Sequence, residues 1–256
     1  MALFDVVIPA RNEEGTVGDV ARAAGAARGV GRVLVVDDGS TDGTAAAARA
    51  AGAEVVAARP AGAPGGDKAL ALAAGVRASA APVLVFFDAD ILRPCPGHFE
   101  ALAAPVLSGE VALSCGLLDY GPLRTRFYLH LPPITGLRAL RREIFEGVPE
   151  ARRRGFRIEI LVNEVAVRRG EPTAIRVLHG LGHRSKLQKL GWRRGLPAHL
   201  RMSAELLGCL RTVPLWTYLH YLRRLRILPP VLEARTGADA GVAPHPVSPR
   251  DTYEES

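Results

Sequence analysis

Short apolar runs recur along the chain, and stretches rich in alanine separate them. The clearest run, residues 83–87, has no polar alternation, which is typical of a central strand buried on both faces. Further strands are predicted at residues 4–9, 32–36, 54–59, 110–117 and 173–178. Because the intervening stretches are helical in pattern, the sequence predicts an α/β fold with a mostly parallel sheet and right-handed crossovers.

Two carboxylates, Asp88 and Asp90, follow the central strand directly. Ligands of open α/β sheets bind outside the carboxyl ends of the strands, so both side chains are expected at a binding edge. Two hard oxygens at this spacing suit one Mg²⁺ or Mn²⁺ ion, whose remaining positions go to water and a phosphate. Asp-x-Asp alone is a weak pattern, and a strand that simply ends in two solvated acids is the alternative.

The ends of the other early strands carry further candidates for the same edge. The first strand ends in Pro9-Ala10-Arg11-Asn12-Glu13-Glu14, and the second leads into Asp37-Asp38-Gly39-Ser40. Asp38 is placed to accept a hydrogen bond from a nucleobase N–H. After the third strand a Gly-rich loop leads to Lys68, which is either a solvated lysine at a helix start or a diphosphate ligand.

Two common nucleotide-binding classes are disfavoured. No Gly-x-Gly-x-x-Gly follows any strand, and the Gly-rich loop lacks P-loop spacing. The chain of 256 residues has a net charge of +7, and residues 138–235 hold 21 Lys/Arg against 8 Asp/Glu. This excess indicates a polyanionic partner: a phosphorylated substrate, an anionic membrane surface or nucleic acid. Nucleic acid is the weakest of these, because the basic half contains no recognised module.

Four linked motifs resemble the family 2 glycosyltransferases of GT-A fold. They lie at residues 7–14, 35–44, 68–72 and 87–90, and their order and spacing match the family as their residues do. The match is strong over residues 4–95 and weaker over 134–185. The resemblance implies a Rossmann-like, mostly parallel sheet sandwiched by helices, a UDP- or GDP-sugar donor, and Mg²⁺ or Mn²⁺.

The resemblance also implies roles by position. Pro9, Ala10, Glu13 and Asp38 would hold the nucleoside, with Arg11 as a further donor contact. Lys68 would lie near the diphosphate, and Asp88 and Asp90 would hold ribose and metal, with Asp90 acting in catalysis. Where the family often has Gly-Lys-Gly, this chain has Asp67-Lys68-Ala69. A divalent metal and a lysine both stabilise the charge that builds on the departing phosphate.

The second half offers candidates for the acceptor side. Arg138 follows a turn at Gly136 and is expected to reach a donor or acceptor phosphate, because its guanidinium fork matches phosphate oxygens. Residues 155–164 resemble the acceptor-side segment of such transferases. An inverting transferase needs one carboxylate base, for which Glu159 is the first choice and Glu164 the second, whereas a retaining one needs none. The alternative for each glutamate is a buried, paired acid.

One late histidine is a further metal candidate. His183 lies in a glycine-containing loop, beside Arg184 and after the strand at residues 173–178. Some members of the family supply a metal or diphosphate ligand from a histidine beyond the last strand, so the resemblance implies that His183 joins Asp88 and Asp90 on the metal. A histidine that is merely polar surface is the alternative.

Three regions are predicted: a GT-A catalytic domain at 1–190, a helical extension at 191–232 and a disordered tail at 233–256. Aromatic, apolar and arginine residues interleave over 216–228. This pattern predicts an amphipathic helix that lies on an anionic membrane, or packs on the catalytic domain or on a second subunit of a homodimer. No membrane span and no signal peptide are expected, which favours the cytoplasm, at the inner face of the membrane if this helix binds lipid.

Together these features predict a metal-dependent transferase that moves a hexosyl group from a nucleotide-sugar to an acceptor hydroxyl. The acceptor is either a small phosphorylated metabolite or a lipid. Two other classes stay open. One is a non-catalytic nucleotide-sugar-binding protein, and the other is a sugar-phosphate nucleotidyltransferase, although the Gly-rich, Arg-containing N-terminal loop of that class is missing.

Overall fold

The computed structural model describes residues 2–60, 63, 66–131, 133–183 and 215–230. Its strands are β1 (Phe4–Ala10), β2 (Val30–Asp37), β3 (Glu54–Ala57), β4 (Val83–Phe86), β5 (Ile91–Leu92), β6 (Leu113–Leu118), β7 (Arg138–Arg141), β8 (Thr173–Leu178), β9 (Gly182–His183) and β10 (Leu225–Ile227). Its α-helices are α1 (Val17–Gly25), α2 (Thr44–Ala50), α3 (Lys68–Ala78), α4 (Pro96–Leu107), α5 (Pro122–Tyr128), α6 (Arg142–Glu146), α7 (Ile158–Arg168) and α8 (Leu215–Arg224).

The described strands form one large sheet and one small one. The large sheet has the order β10-β8-β6-β7-β4-β1-β2-β3, and β5 pairs with β9 in the small sheet. In the large sheet only β7 runs against its neighbours, β4 and β6, and every other described pair is parallel. The prediction of a mostly parallel sheet covered by helices is therefore confirmed.

The sheet is buried on both faces, which explains why its strands lack polar alternation. Along β4, Val83 and Val85 join the apolar cluster on one face, and Leu84 and Phe86 join the cluster on the other. Phe86 packs edge to face against Phe145 of α6, with ring centroids 5.5 Å apart. Each such buried side chain stabilises the fold by about 1.5–3 kcal/mol, before entropy is counted. The carboxyl end of β4 is therefore a rigid support for the acids that follow it.

A glycine sets the distance between α3 and the sheet. A Cβ atom at Gly75 would overlap the side chain of Val7 on β1, so only glycine lets the helix lie this close. Asp67 caps the start of the helix, and its carboxylate accepts hydrogen bonds from the backbone N–H groups of Ala69 and Leu70. Close packing and capping together fix the position of Lys68, the first residue of α3.

The C-terminal part differs from its sequence pattern. The interleaved aromatic and arginine residues predicted helix as far as residue 228, but Leu225–Ile227 forms β10, which pairs in parallel with β8 at the sheet edge. Tertiary pairing here overrides the helical pattern. On α8, Tyr221 is buried. Residues 191–214 and 231–232 of the predicted extension and the tail at 233–256 lie outside the described residues, so these domain boundaries stay predictions.

None of the helices in the described ranges is both long and apolar enough to cross a bilayer.

Candidate active site

The carboxyl ends of β1, β2 and β4 meet at one edge of the sheet. Ala10 is in register with Asp37, and the backbone N–H of Asp38 donates to the carbonyl of Ala10 over 2.9 Å. On the other side of β1, the N–H of Phe87 donates to the carbonyl of Val7 over 3.2 Å. The motifs that follow these three strands therefore share one edge, as the parallel arrangement predicted.

Asp38 is buried and already paired with protein groups. One carboxylate oxygen forms an ion pair with Arg59, and the other accepts a hydrogen bond of 2.6 Å from the backbone N–H of Asp67. Arg11 donates to the carbonyl of Asp38 over 3.1 Å and to that of Ala63 over 3.0 Å. A carboxylate has about four lone-pair sites, so Asp38 retains capacity for a further donor. These contacts fix the pocket expected for the nucleoside.

The loop after β1 is held against the start of α2. The backbone N–H of Glu13 donates to Thr44 Oγ1 over 2.7 Å, and Glu13 Oε2 accepts from Thr16 over 3.2 Å. Asn12 has a φ of 55° and accepts a hydrogen bond from the backbone N–H of Thr41, so it bridges the two loops and does not cap α1. The predicted nucleoside contacts at Pro9, Ala10 and Glu13 lie on this braced segment.

Lys68 stands between two acids that are distant in sequence. Its ammonium nitrogen lies 2.5 Å from Asp88 Oδ1 and 2.8 Å from Glu159 Oε1. The side chains of Lys68 and Glu159 are only 12% and 8% exposed, so this pair is little screened by water. The lysine, the first acid of Asp-x-Asp and the acceptor-side glutamate, each chosen separately from the sequence, thus form one cluster.

Burial and neighbouring charges shift the pKa values of two groups in this cluster. Burial alone would lower the pKa of Lys68, but the Asp88 and Glu159 carboxylates outweigh burial and raise it above the ordinary lysine range. Burial raises the pKa of Asp88; the Lys68 ammonium opposes this rise, and the carboxylates of Glu159 and Asp90 add to it. Asp88 and Glu159 therefore share the Lys68 ammonium, and Asp90 adds a further negative charge beside Asp88.

The donor set fits a divalent cation. Asp88 and Asp90 supply the carboxylate oxygens that Mg²⁺ and Mn²⁺ prefer, and their mutual repulsion favours an added cation. In the small sheet, His183 is in register with Ile91, the residue that follows Asp90. The backbone of the predicted histidine therefore runs beside the Asp-x-Asp turn. Among the described side chains, which do not include that of His183, no three metal-ligating groups cluster.

A buried histidine that sequence reasoning missed holds the chain leading to His183. Nδ1 of His98 accepts a hydrogen bond of 3.0 Å from the backbone N–H of Cys95 at the start of α4. The proton therefore sits on Nε2, which donates to the carbonyl of His179 over 3.0 Å. Nothing in the local pattern around His98 marked it, because its second partner lies 81 residues away.

Gly136 and Asp67 also position the site, and the sequence analysis gave them no such role. A Cβ atom at Gly136 would overlap the carboxylate of Asp88, so only glycine leaves room for that acid. Asp67 Oδ1 accepts a hydrogen bond of 2.8 Å from the backbone N–H of Gly155, which ties the acceptor-side segment to the start of α3. Asp67, which stands where the family often has the first glycine of Gly-Lys-Gly, thus links the start of α3 to the acceptor-side segment.

Two predicted site residues are placed elsewhere. Arg138 is 2% exposed. Its guanidinium donates to the backbone carbonyls of Thr135 and Glu159, so in this structure it contacts the protein backbone and no phosphate-binding surface. Glu164 is ion-paired with Arg152 and Arg168, away from the Lys68 cluster. Five residues along α7 turn Glu164 to another face than Glu159, so the two glutamates do not share one site.

Replacing Lys68 by methionine is expected to destabilise the fold by about 3 kcal/mol near neutral pH, because buried Glu159 and half-buried Asp88 lose their partner. In the native protein the raised pKa keeps Lys68 charged, so its contribution is complete at neutral pH and is lost only in strong alkali. In the variant, protonation of one carboxylate relieves the repulsion, so the loss of stability should shrink on acidification.

Urea denaturation at neutral and mildly acidic pH measures this effect. Arg77→Met, on the exposed face of the same helix, is the control and should change little. A loss for Lys68→Met that stays constant with pH would show that the two acids do not depend on the lysine.

The chain resembles known proteins in sequence. The family model Glycosyl transferase family 2 matches residues 5–169. A glucosyl-3-phosphoglycerate synthase of Mycolicibacterium smegmatis is 39% identical over 108 residues, 40% of this chain and 36% of that protein. The match thus spans little more than a third of that synthase. An uncharacterized glycosyltransferase of Mycobacterium tuberculosis is 32% identical over 185 residues, 63% of this chain and 78% of that protein.

Solved structures agree with the fold described above. Glucosyl-3-phosphoglycerate synthase from Mycobacterium tuberculosis, in complex with Mn²⁺, UDP-glucose and phosphoglyceric acid, has a TM-score of 0.67 at 28% identity and covers 82% of this chain and 79% of its own. A structure of that enzyme with Mg²⁺ and UDP gives the same TM-score of 0.67. The predicted GT-A fold class is confirmed by these neighbours. Because the family model covers more than half of the chain, the protein belongs to glycosyl transferase family 2.

Proposed function

We propose that the protein transfers a glucosyl group from UDP-glucose to a hydroxyl of a small phosphorylated acceptor, with Mn²⁺ or Mg²⁺ as cofactor. The observation that carries this proposal is the contact of Lys68 with both Asp88 and Glu159. This contact brings the donor-side lysine, the Asp-x-Asp motif and the acceptor-side segment to one place. The solved relatives contain Mn²⁺ with UDP-glucose and phosphoglyceric acid, or Mg²⁺ with UDP, and so support the same ligands here.

The donor nucleoside would lie along the ends of β1 and β2. Pro9 and Ala10 offer the backbone of a strand end, and Asp38 is held in place by Arg59 and by the backbone of Asp67. Because Asp38 is buried and fixed, it selects for a base that presents an N–H group at that position. UDP-glucose meets this requirement, and GDP-glucose is the natural comparison, since guanine also presents N–H groups.

The diphosphate would lie at Lys68. In the described structure the Lys68 ammonium is shared by Asp88 and Glu159, so it is already fixed before any ligand binds. A phosphate oxygen that replaces one of these carboxylates as its partner would receive a charge-assisted hydrogen bond. Asp88, Asp90 and His183 would hold the cation, which when bound acts as a Lewis acid on the departing diphosphate.

The acceptor would approach from the Gly155–Glu159 side. Glu159 is placed to orient or deprotonate the acceptor hydroxyl, and its backbone carbonyl is held by buried Arg138. Arg154 and Arg157 are exposed beside it and offer guanidinium groups to an acceptor phosphate, the role that Arg138 cannot fill. A small phosphorylated acceptor is therefore favoured over a neutral one.

Membrane contact at residues 216–228 and a homodimer remain predictions. Within this segment Tyr221 is buried and Leu225–Ile227 belongs to the sheet, so only part of the amphipathic pattern is free to meet lipid. Among the side chains of α8 that the structure describes, Leu219 and Leu222 are exposed apolar ones, at 54% and 37% exposure.

A transfer assay with paired donors and acceptors tests the proposed function. UDP-glucose and GDP-glucose are each supplied with Mn²⁺ and with 3-phosphoglycerate, glycerol 3-phosphate, glycerol or a polyprenyl phosphate. Rapid transfer from UDP-glucose to the phosphorylated small acceptors, and little to glycerol, is expected. Transfer only to the polyprenyl phosphate would refute the proposed acceptor class. Donor binding with neither transfer nor hydrolysis on any acceptor would instead identify a nucleotide-sugar-binding protein.

A further inference from the structure

An exposed apolar and aromatic surface surrounds α5. Six large side chains in this segment are at least 38% exposed: Tyr120, Leu123, Phe127, Tyr128, Leu131 and Ile134. We call these six residues the α5 surface. Leu123 is 85% and Phe127 is 62% exposed, and only Thr125 of the helix is buried. Large apolar side chains in such a cluster mark a binding surface, whereas single ones scattered over a protein carry no meaning.

The aromatic rings of the α5 surface form a continuous group. Tyr128 packs edge to face against Tyr120 and Phe127, with ring centroids 5.4 and 5.8 Å apart. Leu123 and Phe127 are four residues apart on the helix and project from the same side. Tyrosine with its polar tip, beside leucine and phenylalanine, is the composition that proteins place at the boundary between lipid headgroups and acyl chains.

Within residues 120–142 the charged side chains have one sign. No Asp or Glu occurs between Asp119 and Glu143, and Arg124, Arg126 and His130 are exposed among the apolar residues. The nearest acid, Asp119, is engaged by the N–H of Gly121, by Thr125 and by His179. A partner that meets the α5 surface must therefore be both apolar and anionic.

A second copy of this chain does not meet that requirement. In a two-fold interface the same patch faces itself, so residues 120–134 of one copy would offer no acid to the arginines of the other. An anionic bilayer supplies both parts of the match: acyl chains for Leu123 and Phe127, and headgroup phosphates for Arg124 and Arg126. The negative surface potential of such a bilayer attracts each arginine, and burial of the apolar side chains adds to this attraction.

We propose that the α5 surface docks the protein on an anionic lipid bilayer. This surface is separate from residues 216–228, for which the sequence pattern predicted membrane contact. It lies on the chain segment that leads into the active site: Ile134 is two residues before Gly136, which packs against Asp88. Docking would therefore place the acceptor side of the cluster close to the headgroups. The inference does not depend on the identity of the donor or the acceptor.

Vesicle flotation of the full chain tests the proposal. Vesicles of phosphatidylcholine alone are compared with vesicles of phosphatidylcholine and phosphatidylglycerol, at low and high salt. The native protein should float with the anionic vesicles only, and less at high salt. Leu123→Glu/Phe127→Glu and Arg124→Glu/Arg126→Glu should each weaken binding at least about tenfold. Leu107→Glu, an equally apolar position on α4 that is 37% exposed, is the control and should bind as the native protein does.

Three outcomes would overturn the proposal. In the first, the native protein floats with neither vesicle. In the second, both double variants bind as well as the native protein, which would assign the binding to another part of the chain. In the third, light scattering shows a dimer of the native protein, and Leu123→Glu/Phe127→Glu separates this dimer without changing flotation. The α5 surface would then be an interface between copies. Melting temperatures of all variants check that each is folded, and the arginine pair, which is exposed on α5, gives a second test if the apolar pair does not fold.

Discussion

Asp90→Ala is expected to lower the rate of glucosyl transfer about a thousandfold or more, because the charge of the departing diphosphate loses the cation that neutralises it. Asp90 lies in the turn between β4 and β5 and is partly exposed, so its removal leaves the packed sheet intact. The melting temperature should therefore change little. Initial rates with UDP-glucose and Mn²⁺, measured beside thermal denaturation, check both expectations.

A matched control separates the local effect from a general change in charge. Asp19 on α1 is an exposed carboxylate that pairs with Arg22 one turn away, so Asp19→Ala alters the net charge equally. That variant should keep native turnover. If Asp90→Ala also keeps native turnover, the proposed metal site does not serve the reaction.

Gly136→Ala is expected to lower the transfer rate about a hundredfold, since a misplacement of about 1 Å near the chemistry costs that much. The new methyl group would overlap the carboxylate of Asp88, so either the acid or the turn before β7 must move. Displacement of Asp88 also removes a partner of Lys68. A steady-state assay at several Mn²⁺ concentrations should show that added metal restores part of the lost rate, because the displaced acid weakens metal binding.

Gly25→Ala provides the comparison for this substitution. No atom lies within 4 Å of a Cβ atom at Gly25, which is the last residue of α1, so alanine fits there without strain. Native activity for Gly25→Ala and reduced activity for Gly136→Ala would assign the effect to the contact with Asp88. Native activity for both variants would show that Asp88 does not need its present position.

The sequence predicted the binding edge well because parallel strands impose it. Once strands were assigned before Asp38 and Asp88, their carboxyl ends had to lie at the same edge. Lys68 followed from its place after a Gly-rich loop at a helix start. That Lys68 reaches Glu159, 91 residues away, depends on packing between α3 and the segment before α7, which no local pattern encodes.

Two residues that the sequence pattern assigned to the site contact protein groups in the structure, for one physical reason. Arg138 and Glu164 carry the same charges whether they bind ligand or protein, and their partners decide which they do. Arg138 lies on a buried antiparallel strand whose neighbours are β4 and β6, so its guanidinium satisfies carbonyls of the core. Glu164 meets Arg152 and Arg168, and only the turn of α7 decides that it does so. Local composition cannot distinguish such internal pairs from a site.

Edge pairing and buried links were equally invisible in the sequence. Residues 225–227 carry a helical pattern but complete the sheet beside β8, because an open sheet edge offers unpaired backbone groups. His98 and Gly136 act through contacts with His179 and Asp88 that the fold creates. A contact of this kind becomes visible only when the distant segments are placed together.

In the proposed site Asp88 and Asp90 hold a divalent cation that binds the diphosphate of the donor. Titration calorimetry of UDP-glucose into the native protein and into Asp90→Ala, each with and without Mn²⁺, tests this claim directly. The account predicts tight binding only for the native protein with Mn²⁺, and weak binding, equal with and without metal, for the variant. Equal affinity in all four titrations would contradict it.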